Sequence, residues 1–119
     1  ITKGLIEKVI RSLKDYDAAI VGYKSTDTLK KVSNGEISST IDRDETWCIQ
    51  TPQAFLKEAI IKAYDLAKKQ SFQGTDDSSL LERAGYKVKI VNDSSINIKI
   101  TTNEDWMIAE SLLNANSNV

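Results

Sequence analysis

The 119-residue chain is 40% hydrophobic, carries 16 basic against 17 acidic residues, and has one cysteine and no histidine. That length and core content fit one domain or part of one, and the near-balance of charge excludes a broad basic face for nucleic acid. The missing histidine excludes Ser-His-Asp and Cys-His catalysis and the commonest zinc ligand. Lone Cys48, between Trp47 and Ile49, is expected to be a buried structural thiol outside any disulfide framework.

Thr2 is placed to cap a helix whose Leu5, Ile6, Val9, Ile10 and Leu13 form one apolar stripe. The start at Ile1 rather than methionine, followed at once by this helical pattern, leads us to expect residues upstream. Asp17 to Lys24, DAAIVGYK, is short, apolar and β-branched, as in a buried strand of an α/β sheet. Thr26 to Arg43 is polar and alternating around Asn34-Gly35, the strongest short signal for a type I′ hairpin, and predicts a projecting β-arm. The spacing from Pro52 to Gln70 predicts the long helix, with Pro52 at its first position and Thr51 as cap.

A second helix is expected after Thr75 as cap, with Asp76 and Asp77 in its first turn and Gly85 as its stop. YKVKIVN and NIKIT (Asn97 to Thr101) read as strands, and Thr102-Asn103-Glu104-Asp105 as a capping box opening a terminal helix with Ile108, Leu112 and Leu113. Strands alternating with helices predict an α/β layered sheet. No apolar run approaches bilayer length and no leader-like segment stands at the start, so a soluble chain in a reducing, cytoplasmic compartment is expected, with no membrane partner.

Three positions converge on an anion. Thr51 and Thr75 stand at predicted helix starts, where a hydroxyl and free amides could meet one phosphate, and Lys99 interrupts an apolar run with a balancing charge. Each also has a plain reading: a threonine is a common cap, Lys99 can sit on a solvated strand face, and Asp42 and Arg43 can form a surface ion pair. Asp76, Asp77, Glu104 and Asp105 read as helix-start charges rather than a general acid–base pair.

DTLK (Asp27 to Lys30), TIDR (Thr40 to Arg43), TWCIQTPQAF (Thr46 to Phe55), TDDSSLLERAG (Thr75 to Gly85) and NIKITTNEDW (Asn97 to Trp106) occur in this order. Together they resemble the C-terminal half of the 2-C-methyl-D-erythritol 4-phosphate cytidylyltransferase family. The resemblance implies a Rossmann-like nucleotidyltransferase three-layer sandwich with a projecting β-hairpin arm. It also implies transfer of a cytidylyl group from CTP to methylerythritol phosphate, releasing pyrophosphate, in non-mevalonate isoprenoid synthesis. By motif position, Thr51, Thr75 and Lys99 would hold the sugar phosphate. Thr28 and Arg43 would act from the arm in a homodimer, Arg43 binding the phosphate in trans. Mg2+ would be held, like the CTP triphosphate, by a half that this chain lacks, so the chain alone is expected to be inactive. Asn103, Trp106 and Ile96 depart from the family's usual residues. The sister enzyme acting on ribitol 5-phosphate, and a non-catalytic dimerisation or sugar-phosphate-binding module, are the competing readings.

Overall fold

A computed structural model describes residues 1–117. The central sheet has three strands: β1 (Ala18–Lys24) lies in the middle, antiparallel to β4 (Trp47–Phe55) and parallel to β5 (Val88–Asn92). Helix α1 (Lys3–Ser12) covers one face, and α2 (Lys57–Lys69) with α3 (Asp77–Arg83) the other, which gives the expected three layers. The strand period of two divides β1 between these faces. Ala19 and Val21 join Val9 of α1 and Val91 of β5, whereas Ala18 packs with Ala59, Ala63 and Ala67 of α2 and Leu80 and Leu81 of α3. Ala59, Ala63 and Ala67, spaced four apart, are the buried row of α2.

Thr2 caps α1 as expected, accepting from the Leu5 amide at 3.2 Å. The predicted stripe is only half used: Leu5, Val9 and Leu13 meet the sheet, while Ile6 and Ile10 are 41% and 57% exposed. A row of residues four apart suffices to cover a three-stranded sheet, and Ile6 and Ile10 lie just off that row.

The arm forms as predicted, from β2 (Lys30–Ser33) and β3 (Glu36–Thr40), with Ser33 opposite Glu36. Asn34 and Gly35 both have positive φ, 51° and 80°, as the turn requires. All nine of its strand residues are exposed.

The predicted helix start at Pro52 is not what forms. Thr51 and Pro52 lie inside β4, joined by a cis peptide bond, and α2 begins only at Lys57 with Leu56 at its cap. Opposite β1, Ile20 pairs with Gln53 and Val21 with Gln50, so Thr51 and Pro52 bulge out of the ladder. A bulge is where a residue lacking an N–H costs the sheet least. α3 also starts differently: Asp76, not Thr75, is the cap, and its carboxylate accepts from the Ser79 amide at 3.0 Å. Gly85 ends α3 with φ +82°, as expected.

NIKIT is not a strand. Residues 97–101 leave β5 through a turn and run to α4 (Asn103–Ser117) without joining the sheet, although their alternation is that of a strand. Alternation needs a neighbouring ladder to become a strand, and this segment is instead held by the Gln50 side chain from β4 and by its own Asn97. The capping box that follows is present: the Asp105 amide donates to Thr102 Oγ1 at 3.1 Å, and Asp105 Oδ2 accepts from the Thr101 and Thr102 amides, each at 2.9 Å. Trp106, Met107 and Ile108 of α4 are exposed.

Candidate functional site

The β4 bulge forms the floor of an open cleft of about 1200 Å³, walled by the loop into α3 and by residues 95–99. Thr51, Thr75 and Lys99 all line it. The sequence offers the three as helix caps and a strand lysine; they line one cleft although none of those local assignments holds. Thr51 is presented by the bulge, Thr75 by the residue before the α3 cap, and Lys99 by a loop.

Side-chain amides fix these walls. Gln50 Nε2 donates to the carbonyls of Ser94 and Asn97, both at 2.9 Å, and Asn97 Nδ2 donates back to the Thr51 carbonyl at 2.7 Å. On the other side of Pro52, Gln53 Nε2 donates to Asp76 Oδ2 at 3.2 Å, and the buried Ser78 hydroxyl donates to the same oxygen at 2.8 Å. Gln50, Gln53 and Asn97 were missed as site residues. The signal for Gln50 and Gln53 is their place on either side of Thr51-Pro52, the chain's one proline, in a largely apolar strand.

Lys99 is exposed and is the one basic side chain lining the cleft among the described residues, against Asp76, Asp77 and Glu82. Much of that acidity is engaged. Asp76 is a cap, Asp77 accepts from the Tyr64 hydroxyl at 2.5 Å, and Glu82 accepts from Ser78 at 3.3 Å. The hydrogen bond to Asp77, and its charge, raise the Tyr64 phenol above its ordinary value. Cys48 is half-buried and lines the cleft beside Tyr23, correcting the expectation of a buried core thiol. The neighbouring thiol, by hydrogen bond and charge, raises the Tyr23 phenol.

Thr28 and Arg43 do not line this cleft. Both are exposed, Thr28 before β2 and Arg43 in the turn after β3, where its Nη1 donates to the Thr26 carbonyl at 3.2 Å. The predicted Asp42–Arg43 ion pair gives way to one between Lys24 and Asp44 at 3.0 Å, which with the weaker field of Arg43 lowers the Asp44 carboxyl. Asp42 instead accepts from the Asp44 amide at 2.8 Å, closing the turn that carries Arg43. No three histidine, cysteine or carboxylate side chains come together to hold a metal ion among the described residues.

A mixed sheet between helical layers, with a polar cleft over an edge strand and a detached hairpin arm, is the architecture of an α/β nucleotidyltransferase. It superimposes with a TM-score of 0.85 on 4-diphosphocytidyl-2C-methyl-D-erythritol synthase from Anaerococcus prevotii, at 39% identity over 95% of this chain and 53% of that one. The Francisella tularensis 2-C-methyl-D-erythritol 4-phosphate cytidylyltransferase gives the same TM-score at 30% identity, over 93% of this chain and 53% of that one. The 2-C-methyl-D-erythritol 4-phosphate cytidylyltransferase model matches residues 1–115, and the chain belongs to that family. The protein of that name from Lysinibacillus sphaericus is 48% identical over 113 residues, which are 95% of this chain and 49% of that one. The chain thus spans about half the length of the curated relatives it matches.

Proposed function

We propose that this chain is the sugar-phosphate-binding half of an enzyme that transfers a cytidylyl group from CTP to 2-C-methyl-D-erythritol 4-phosphate. The products are 4-diphosphocytidyl-2-C-methyl-D-erythritol and pyrophosphate. The observation that carries this reading is the convergence of Thr51, Thr75 and Lys99, from three separate segments, on one open cleft. A substrate phosphate oxygen attacks the α-phosphorus of CTP in line as the bond to pyrophosphate breaks. Such a displacement asks the protein for orientation and positive charge rather than for a nucleophile. The Lys99 ammonium and the two threonine hydroxyls supply donors for the substrate phosphate and aim its oxygen.

One lysine facing three carboxylates is a weak anion site, so more positive charge must come from outside the cleft. We assign part of it to Arg43, carried on the arm to the cleft of a second copy in a cytoplasmic homodimer, with Thr28 beside it. The arm supports this, because its facing pair Val32 and Ile37 is 62% and 65% exposed, apolar surface that a partner would cover. Mg2+ is assigned to residues outside this chain, where it would neutralise charge on the CTP phosphates.

The test is cytidylyl transfer by the complete enzyme, with ribitol 5-phosphate as the competing acceptor. Lys99→Ala and Arg43→Ala should each lose about 10²-fold or more in turnover while remaining folded. Mixing the two inactive variants should restore roughly a quarter of wild-type activity, because half the dimers would be mixed and each would hold one intact site of two. Normal turnover in Lys99→Ala, or preference for ribitol 5-phosphate, would defeat the assignment. Absence of any restoration on mixing would defeat the trans role of Arg43.

A further inference from the structure

Lys99 lies on a segment that no sheet ladder holds. Its path is set from both sides by side chains: Gln50 and Asn97 tie residues 94–97 to the β4 bulge, and Asp105 ties Thr101 and Thr102 to the start of α4. Thr75, on the opposite wall, immediately precedes Asp76, which Gln53 holds from the same strand. The two glutamines therefore reach from either side of Thr51-Pro52 to the two walls of the cleft.

We propose that Gln50 and Gln53 are positioning residues with divided duties: Gln50, through Asn97, sets Lys99, and Gln53, through Asp76, sets Thr75. This rests on the reading of Lys99 and Thr75 as contacts to the substrate phosphate. The orientation of the Gln50 amide is forced. Both its neighbours are carbonyl oxygens, which accept only, so its NH2 must face them and its Oε1 must face away. That oxygen lies buried without a hydrogen-bond partner, a cost that an apolar residue of the same size would not carry. Both hydrogen bonds of that amide go to the carbonyls of the loop that carries Lys99, which fits a role in placing the loop. Gln53 binds a charged acceptor that also caps α3, so displacing it moves the turn that carries Thr75.

The test uses the complete enzyme with Gln50→Met and Gln53→Met, each alone and combined with Lys99→Ala or Thr75→Ala. Each glutamine variant alone should lower kcat/KM for methylerythritol phosphate by about 10- to 100-fold, the scale of a misplacement near 1 Å, with KM for CTP unchanged. Coupling separates positioning from scaffolding. Gln50→Met should cost little more once Lys99 is gone but keep its full effect beside Thr75→Ala, and Gln53→Met should show the mirror pattern. Thermal melting of Gln50→Met should stay near wild type. Should that variant fail to fold, Gln50→Asn, which keeps the amide but shortens its reach, is read in the same cycle. Unchanged kcat/KM in the glutamine variants, or losses that multiply equally in every background, overturns the proposal while the phosphate-site reading stands. Wild-type activity in Lys99→Ala and Thr75→Ala overturns both.

Discussion

Gly22 is the residue on which the placement of β4, and so of the cleft floor, depends most directly. It sits in the central strand opposite Ile49, and a Cβ added there would lie 2.8 Å from the Cys48 carbonyl oxygen, 3.0 Å from Ile90 Cδ1 and 3.3 Å from Ile49 Cδ1. Ordinary contact begins near 3.4 Å, so a methyl group must push a backbone carbonyl back by roughly 0.6 Å. The two isoleucine termini can turn aside, but the carbonyl belongs to a strand paired to β1 and cannot. Such overpacking costs about 1–3 kcal/mol, offset by about 0.4–1 kcal/mol from the less flexible unfolded chain. Gly22→Ala should therefore destabilise the enzyme by about 1–2 kcal/mol and lower Tm by roughly 2–8 °C. Because the displaced residue is two positions from Gln50, kcat/KM should fall as well. Gly4→Ala is the control: nothing lies within 4 Å of its added Cβ, and in α1 it should gain about 0.5 kcal/mol. Urea unfolding of the three proteins measures both signs. A Gly22→Ala enzyme as stable as wild type would refute the close approach of β1 and β4.

Asp76→Ala should cost about 2 kcal/mol, combining a lost helix cap with the Gln53 amide left short of an acceptor, whereas Asp76→Asn, which keeps the cap, should lose less than half of that. Equal urea midpoints for Asp76→Ala and wild type would contradict it. The Thr101 amide and hydroxyl, then the Thr102 amide, hold the Asp105 carboxyl at about 2, below its ordinary 3.8. Its contribution to the start of α4 is therefore complete above about pH 3.8 and is lost as pH falls through about 2. Carboxyl NMR titration should show that midpoint and a rise toward the ordinary value in Thr101→Ala, and an ordinary midpoint in wild type would rule the capping network out.

Much of this protein could be read from local sequence because local physics decides it. The Thr2 cap, the Asn34-Gly35 turn with two positive φ values, the Gly85 stop and the Thr102–Asp105 box are interactions among residues a few positions apart. The order of strands and helices, NIKIT apart, and the candidate trio of Thr51, Thr75 and Lys99 were also legible. What the trio's residues are doing was not. A proline after a threonine suits a helix start or an edge-strand bulge equally well by local preference. The pairing of Ile20 with Gln53 and Val21 with Gln50 across β1 decides for the bulge. NIKIT alternates as a strand does, but a strand needs a partner ladder, and the Gln50 side chain from β4 together with the segment's own Asn97 holds it as a loop instead. Asp76 takes the cap that Thr75 was expected to fill, because its carboxylate is also held by Gln53 from β4. Composition and short spacing thus chose the elements and the residue types of the cleft. Contacts between residues more than twenty positions apart decided where those residues stand, since hydrogen bonds across that separation leave no periodic trace in the chain.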